Sequence, residues 1–286
     1  MFKANCKATL KTLMRHPAII IAFCAVILNI LINNSVKYDA VDDHALFNHI
    51  YSISSVSTWS ILFPPFLGVI IASNLLSERD TNFCDVLSAS NMTFIKFVSS
   101  KIIAIFTVAV VAHFLYYFAY MLDFWIVQIN STEGFDIGYG FWELAWRYLL
   151  HEVVYLPLSL IVATSIGFFA VGITGVPLMS AVSLLGYVFL KNIFPIYLAG
   201  TAAVNGLGGV LYYIPTQMTL YICAVTSPTP TSLRLEEYAM NNYLYVTPEK
   251  AIFSIVFHYV ISILLLVISY FLLRKRYNIV MPIKSK

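Results

Sequence analysis

The segment SERDTNFCDVLSASNMTFIKFVSSK, residues 77–101, separates two long stretches of the chain that carry no formal charge. The stretch before it covers residues 50–76, and the stretch after it covers residues 102–122. Each is at least as long as the ~20 apolar residues that a helix needs to cross a bilayer. The segment itself holds three acidic and three basic side chains. The sequence therefore predicts a charged loop between two membrane spans.

The composition also indicates a membrane protein. Of the 286 residues, 60% are hydrophobic and 11% are charged, and the mean hydropathy is +0.82. A soluble globular domain carries about 25% charged residues. The net charge of +3 is too small to indicate a nucleic-acid partner. The four cysteines are scattered, without the spacing of a disulfide framework or a metal site.

Charge-free stretches and helix breakers predict six membrane spans. These cover residues 17–36, 50–76, 102–122, 153–171, 178–198 and 251–273. The segment 172–177, with two glycines and a proline, divides the fourth span from the fifth. Pro64 and Pro65 are expected to kink the second span, because each removes a backbone hydrogen bond. The predicted fold is an all-α integral membrane protein, with residues 1–286 in one transmembrane domain.

Residues 1–16 show the pattern of an amphipathic helix. A basic stripe recurs every four residues; its members are Lys3, Lys7, Lys11 and Arg15. A neighbouring apolar stripe consists of Phe2, Cys6, Leu10, Leu13 and Met14. Such a helix lies in the membrane interface, with its cations on anionic headgroups. The alternative is a plain positively charged anchor for the first span.

The distribution of charge predicts the orientation of the chain. With six spans, the segments on one side of the membrane are 1–16, 77–101, 172–177 and 274–286. They hold 12 of the 17 basic residues and 3 of the 14 acidic ones. Basic loops remain in the cytoplasm, so both termini are expected there, in a multi-pass protein of the inner or plasma membrane.

The outer segment 199–250 is the longest between two spans. Its first half is apolar but interrupted by glycines and a proline, and residues 207–225 can be counted as a seventh span. A seventh span would place the basic C-terminus outside. We therefore expect helices that enter the outer leaflet and return, which is tolerated where protein buries them.

No motif predicts an enzyme or a cofactor bound by this chain. The phosphate loop GxxxxGK[ST] is absent, as are HExxH, GxSxG and clustered Cys and His residues. His113 lies within the third span, where a histidine is typically an interhelical hydrogen-bond partner. Lys191, in the fifth span, either extends its amine to the interface or marks a polar substrate path with Glu152 or Asp123.

Residues 67–104, LGVIIASNLLSERDTNFCDVLSASNMTFIKFVSSKIIA, resemble the signature region of ABC-2-type transporter permeases. In that family a span ends in a Ser-Glu-Arg-like tripeptide, a short helix follows, and a lysine leads the next span. The matching residues here are Ser77, Glu78, Arg79 and Lys101. The family usually has Gly-Thr after the tripeptide, where this chain has Asp80-Thr81.

The resemblance implies a half-channel. Two permease chains, identical or different, associate, and two separate ABC ATPase subunits bind ATP and magnesium beneath them. Residues 1–16 correspond to the connecting helix, and residues 199–250 to the outer re-entrant helices. The short helix after Glu78 corresponds to the coupling helix, which seats in a cleft of the ATPase.

The residues of the predicted coupling helix suit this role. Asp80 and Thr81 can cap a short helix, and Phe83 and Leu87 share one apolar face of it. The predicted ATPase contacts are Glu78, Arg79, Asp80, Phe83 and Leu87. The alternative is an ordinary solvated loop with a capped turn.

The sequence thus predicts the permease subunit of an ATP-driven exporter in a lipid bilayer. The chain is rich in Tyr and Phe and poor in charge, which suits an amphipathic cargo. A peptide toxin or an antimicrobial peptide fits this description better than a sugar or an ion. The alternative function is a non-transporting membrane anchor or sensor for a cytoplasmic partner.

Overall fold

The structure, a computed structural model, describes residues 2–15, 58–76, 93–130, 141–190 and 248–276, together with 17, 19–21, 24 and 27. Over these residues the backbone is helical apart from short connections, and none of them forms a β-strand. The prediction of an all-α protein is confirmed for this part of the chain.

Six helices have described bounds. They are α1 (Phe2–Met14), α2 (Thr58–Leu76), α3 (Phe94–Asn130), α4 (Phe141–Thr174), α5 (Leu178–Val188) and α6 (Pro248–Arg276). The helix α2 continues through Pro64 and Pro65. The predicted coupling segment before α3 lies outside the described residues over 77–92.

Three described helices contain an apolar stretch long enough to cross a membrane. These stretches are Phe94–Leu122, Tyr155–Thr174 and Ile255–Arg276. Two shorter apolar stretches, Leu62–Ala72 and Leu178–Val188, lie within the predicted second and fifth spans. Residues 50–57 of the second span, residues 191–198 of the fifth and most of the first span lie outside the described residues. The chain is therefore an α-helical membrane protein, and the count of six spans stays a prediction.

The helices extend beyond the predicted spans. The helix α3 begins at Phe94 and continues to Asn130, whereas the charge-free run covers only 102–122. The helix α4 begins at Phe141, well before residue 153. A charge-free run marks the part of a helix that suits hydrocarbon, but backbone hydrogen bonds continue past that boundary. Much of the mixed segment 123–152 is consequently helical.

The helix α4 lies at the centre of the described bundle. It packs against α2, α3, α5 and α6, and α1 packs against α3. In its apolar stretch 61% of the residues are buried, compared with 11% in the apolar stretch of α6. A membrane helix with so little burial presents most of its side chains to lipid or to another chain. The helix α6 is therefore peripheral.

Small residues bring the backbones of α2 and α5 together. The Ser180 hydroxyl lies 2.5 Å from the Gly68 carbonyl and 2.8 Å from the Pro177 carbonyl, and its single hydrogen is shared between these two acceptors. A Cβ atom on Gly68 would lie 2.6 Å from the Cα of Ala181. Close helix packing of this kind requires a small residue at the crossing point.

The break between α4 and α5 falls within the predicted segment 172–177. The helix α4 ends at Thr174, and Gly175 follows with φ of +70°. The Gly175 amide donates to the Val171 carbonyl at 2.8 Å, which terminates the helix in a left-handed residue. Glycine is favoured here because it has no Cβ to oppose a positive φ.

We expect Gly175→Ala to lower the free energy of unfolding by about 1–2 kcal/mol, the cost of a left-handed conformation for a residue with a Cβ. The new Cβ would also meet the guanidinium of Arg276, which must then move. Thermal unfolding of the purified protein in detergent measures the change. The neighbouring Val176, which is exposed, supplies the control Val176→Ala. Equal midpoints for the two variants would contradict the expectation.

One end of the bundle collects α1, the beginning of α3 and the last turns of α4 and α6. The rings of Phe94 in α3 and Tyr270 in α6 have centroids 5.4 Å apart, and Arg276 contacts the end of α4. The cations in these segments are Lys3, Lys7, Lys11, Arg15, Lys96, Lys101, Arg274, Lys275 and Arg276. No acidic residue occurs in them. We call this end of the bundle the basic end.

Candidate functional site

A buried glutamate joins α3 to α4. Glu152 Oε2 lies 2.5 Å from Nε2 of His113 in α3, and Glu152 Oε1 lies 3.1 Å from Nδ1 of His151 in α4. We call these three residues the His–Glu cluster. The interhelical hydrogen bond expected for His113 is confirmed, and its partner is Glu152.

The His–Glu cluster is enclosed by protein. Glu152 is 2% exposed and His151 is 0% exposed. The His151 ring stacks between Tyr148 and Tyr155, with centroid distances of 6.4 Å and 5.2 Å. From α2, Phe63 meets the His113 ring edge to face at 5.5 Å. Three helices therefore exclude solvent from these polar groups.

The cluster lies far from the basic end. Along α3, His113 is about 28 Å from Phe94 at about 1.5 Å of rise per residue. Along α4, Glu152 is about 33 Å from Thr174 by the same rise. The hydrocarbon layer of a bilayer is about 30 Å thick. If the basic end is at one membrane surface, the cluster is near the opposite boundary of the hydrocarbon.

At the basic end, hydrogen bonds fasten α1 to the beginning of α3. The Lys101 ammonium donates to the Thr9 hydroxyl at 2.8 Å, and the Asn5 amide donates to the Ser100 hydroxyl at 2.6 Å. Lys101 is only 1% exposed and also lies 5.4 Å from the centroid of the Phe97 ring. If α1 moved along α3, the buried ammonium would lose these contacts. A buried cation without such partners is strongly destabilised, so Lys101 holds the two helices in register.

The surface of α1 partly follows the predicted stripes. The four predicted cations are exposed; they are Lys3, Lys7, Lys11 and Arg15. Thr9 and Leu13 are buried against α3. Phe2 and Met14, which belong to the predicted apolar stripe, are 38% and 51% exposed. Apolar side chains beside an exposed basic stripe are typical of a helix at a membrane interface; that role stays a prediction.

A second fastening at the basic end was not predicted from the sequence. Arg276 Nε donates to the Gly172 carbonyl at 2.7 Å, and Arg276 Nη2 donates to the Ile173 carbonyl. The last carbonyls of a helix lack partners within it, and a cation there also suits the helix dipole. From the sequence alone, the basic triplet at 274–276 marks only the end of the charge-free run 251–273. It also caps α4.

The structure describes only some of the remaining predicted site residues. The predicted coupling residues, Glu78, Arg79, Asp80, Phe83 and Leu87, lie outside the described residues, as does Lys191. Asp123 lies in α3, beyond the apolar stretch that ends at Leu122. A substrate path that includes Glu152, Asp123 and Lys191 therefore stays a prediction.

Sequence reasoning missed the partnership of Glu152 with the two histidines. The sequence shows the adjacent pair His151-Glu152 and, within a predicted span, His113. It does not show that they meet, because a contact between residues 39 positions apart leaves no local pattern. Among the described residues, no group of three or more His, Cys, Asp and Glu side chains is arranged to hold a metal ion.

No protein-family model, curated protein or solved structure matches this chain. The likeness to ABC-2-type permeases therefore depends on the sequence pattern over residues 67–104 and on the predicted topology.

Proposed function

We propose that this chain is the permease subunit of an ATP-driven exporter. In this proposal it associates with a second permease chain and with two cytoplasmic ABC ATPase subunits, which bind ATP and magnesium. The cargo is an amphipathic peptide, because the chain contains 19 Tyr and 21 Phe residues but only 11% charged residues. Aromatic side chains offer a large apolar surface together with a polar edge.

The observation that carries the proposal is the fastening of α1 to α3. The predicted coupling segment leads directly into α3, and the first turns of α3 hold α1 through Ser100 and Lys101. A displacement applied to that segment would therefore move α3 and α1 together. This is the mechanical connection that an exporter needs between its ATPase and its spans.

The charge distribution supports the proposed orientation. Nine cations and no acidic residue occur in the segments that form the basic end. Cytoplasmic segments of membrane proteins are enriched in Lys and Arg. In the proposal, the basic end faces the cytoplasm and the ATPase subunits bind there.

The proposal is tested by co-expressing the chain with a candidate ATPase and measuring ATP hydrolysis in reconstituted vesicles. We expect the permease to stimulate hydrolysis, and Glu78→Ala and Phe83→Ala to abolish most of the stimulation, because both remove predicted contacts with the ATPase. Asp85→Ala, an acidic residue of the same segment outside the predicted contact set, is the matched control and should retain stimulation.

Hydrolysis that is stimulated equally by all three variants would disprove the coupling assignment. A complex that forms without any stimulation would instead favour the membrane anchor or sensor. Expression of each variant in the membrane is checked first, so that loss of protein is not mistaken for loss of coupling.

A further inference from the structure

We propose that the His–Glu cluster is a proton-binding site. It holds one proton in excess of two neutral imidazoles and an ionised carboxylate, and this proton is shared between Glu152 and a histidine that faces it. The proposal does not depend on the export function, because it follows from the geometry of the cluster.

The hydrogen-bond geometry constrains where protons lie. An ionised carboxylate accepts hydrogen bonds but donates none. Each oxygen of Glu152 faces a different imidazole nitrogen, Nε2 of His113 or Nδ1 of His151. Two neutral imidazoles with protons on these nitrogens satisfy both contacts. The cluster then carries the full negative charge of the carboxylate.

Burial makes that charged state unfavourable. Glu152 is 2% exposed, and the rings of Phe63, Tyr148 and Tyr155 pack against its two histidine partners. An ionised group in such an environment is strongly destabilised unless an opposite charge accompanies it. One additional proton makes the cluster neutral overall, either as an imidazolium facing a carboxylate or as a carboxylic acid facing an imidazole.

Either contact can hold this proton. Nε2 of His113 lies 2.5 Å from one oxygen of Glu152, and Nδ1 of His151 lies 3.1 Å from the other, so both nitrogens are within hydrogen-bonding distance of the carboxylate. We therefore infer that the additional proton lies between Glu152 and one of its two histidines.

Among the side chains that the structure describes on α3 and α4, the other titratable groups beside the cluster are tyrosines. They are Tyr117, Tyr148 and Tyr155, with Tyr116 and Tyr120 next to Tyr148. Tyr117 donates its hydroxyl to the Ala145 carbonyl at 2.9 Å. The helix α2 contains no titratable residue. Tyr187 of α5 and Tyr259 of α6 pack against the group formed by Tyr155, Leu158 and Val162, and α6 also carries His258, whose ring contacts Phe257. Since tyrosines are neutral near pH 7, the proton is exchanged by the His–Glu cluster.

Loss of the proton would have a structural effect. It leaves an uncompensated carboxylate between α3 and α4, in contact with α2 through Phe63 and His113. The packing of these three helices at this level then weakens as the pH rises.

The test is ¹⁵N NMR of the full chain, with labelled histidines, in lipid nanodiscs near neutral pH. Among the signals of the chain's six histidines, we expect one imidazolium signal that disappears in either His113→Gln or His151→Gln and becomes a neutral imidazole signal in Glu152→Gln. Infrared spectroscopy of the unlabelled protein provides the second measurement. If the proton resides on the oxygen, a carboxylic acid band replaces the imidazolium signal, and this band is absent in Glu152→Gln.

Either result supports a bound proton. The proposal is overturned if His113 and His151 are both neutral and the carboxylic acid band is absent in the wild-type protein, a result that needs no folded variant. Raising the pH provides an independent check. We expect the signal of the bound proton and the thermal midpoint to decrease together in the wild-type protein, with no corresponding step in Glu152→Gln.

Discussion

Glu152→Ala is expected to lower the free energy of unfolding by about 3–5 kcal/mol, the usual cost of removing one member of a buried charged pair. The substitution leaves the facing nitrogens of His113 and His151 without their carboxylate acceptor in the interior of the bundle. Unfolding by heat or by denaturing detergent, followed by circular dichroism, measures the change.

The matched control for this substitution is the next residue in α4. Val153 is 62% exposed, and Val153→Ala should change stability by less than about 0.5 kcal/mol, as is usual for a surface position.

A double-mutant cycle tests whether Glu152 and His113 stabilise the fold together. His113→Ala combined with Glu152→Ala should cost less than the sum of the two single changes, by about 0.5–3 kcal/mol. Strict additivity would mean that the two side chains do not stabilise the fold together.

The second large effect is expected at the crossing of α2 and α5. Gly68→Ala should cost about 1–3 kcal/mol, the range for overpacking a well-packed interior. The added Cβ would lie 2.6 Å from the Cα and 2.8 Å from the amide nitrogen of Ala181, and 2.8 Å from the carbonyl oxygen of Ser180. These are backbone atoms, so α5 must move as a unit to relieve the overlap. The hydrogen bond from Ser180 to Gly68 would lengthen with it.

Substitutions of two other glycines should cost less stability than Gly68→Ala. A Cβ on Gly167 would meet the terminal Cδ1 of Ile71 at 2.8 Å, and that side chain can adopt another rotamer. A Cβ on Gly186 would meet nothing within 4 Å. Gly186→Ala should therefore be neutral or stabilising, because alanine favours helix by up to about 1 kcal/mol over glycine. Melting temperatures that do not follow the order Gly68, Gly167, Gly186, from the lowest upward, would contradict the packing described for α2 and α5.

The sequence was sufficient where a pattern is local. A charge-free run over 102–122 identified where the apolar stretch of α3 ends, and glycines with a proline over 172–177 identified the break after α4. The repeat of cations every four residues identified the exposed side of α1. Each of these features depends on neighbouring residues, and helix geometry converts their spacing into a face or a boundary.

The sequence was insufficient where a contact joins distant segments. Lys101 immediately precedes the predicted third span, and the sequence does not show that it is buried and that Thr9, 92 residues earlier, accepts its hydrogen bond. Arg276 caps a helix that ends more than a hundred residues before it. A single sequence does not show which distant residues are in contact, because the hydropathy of a residue does not depend on the helix that it packs against.

The helix α3 is fastened at two levels, to α1 near its beginning and to α4 at His113. From His113 the helix extends about 28 Å to Phe94 in one direction and about 26 Å to Asn130 in the other, at about 1.5 Å per residue. A rigid rod held near its middle behaves as a lever with arms of nearly equal length. A tilt of α3 about the His113–Glu152 contact would therefore displace its two ends by similar amounts in opposite directions.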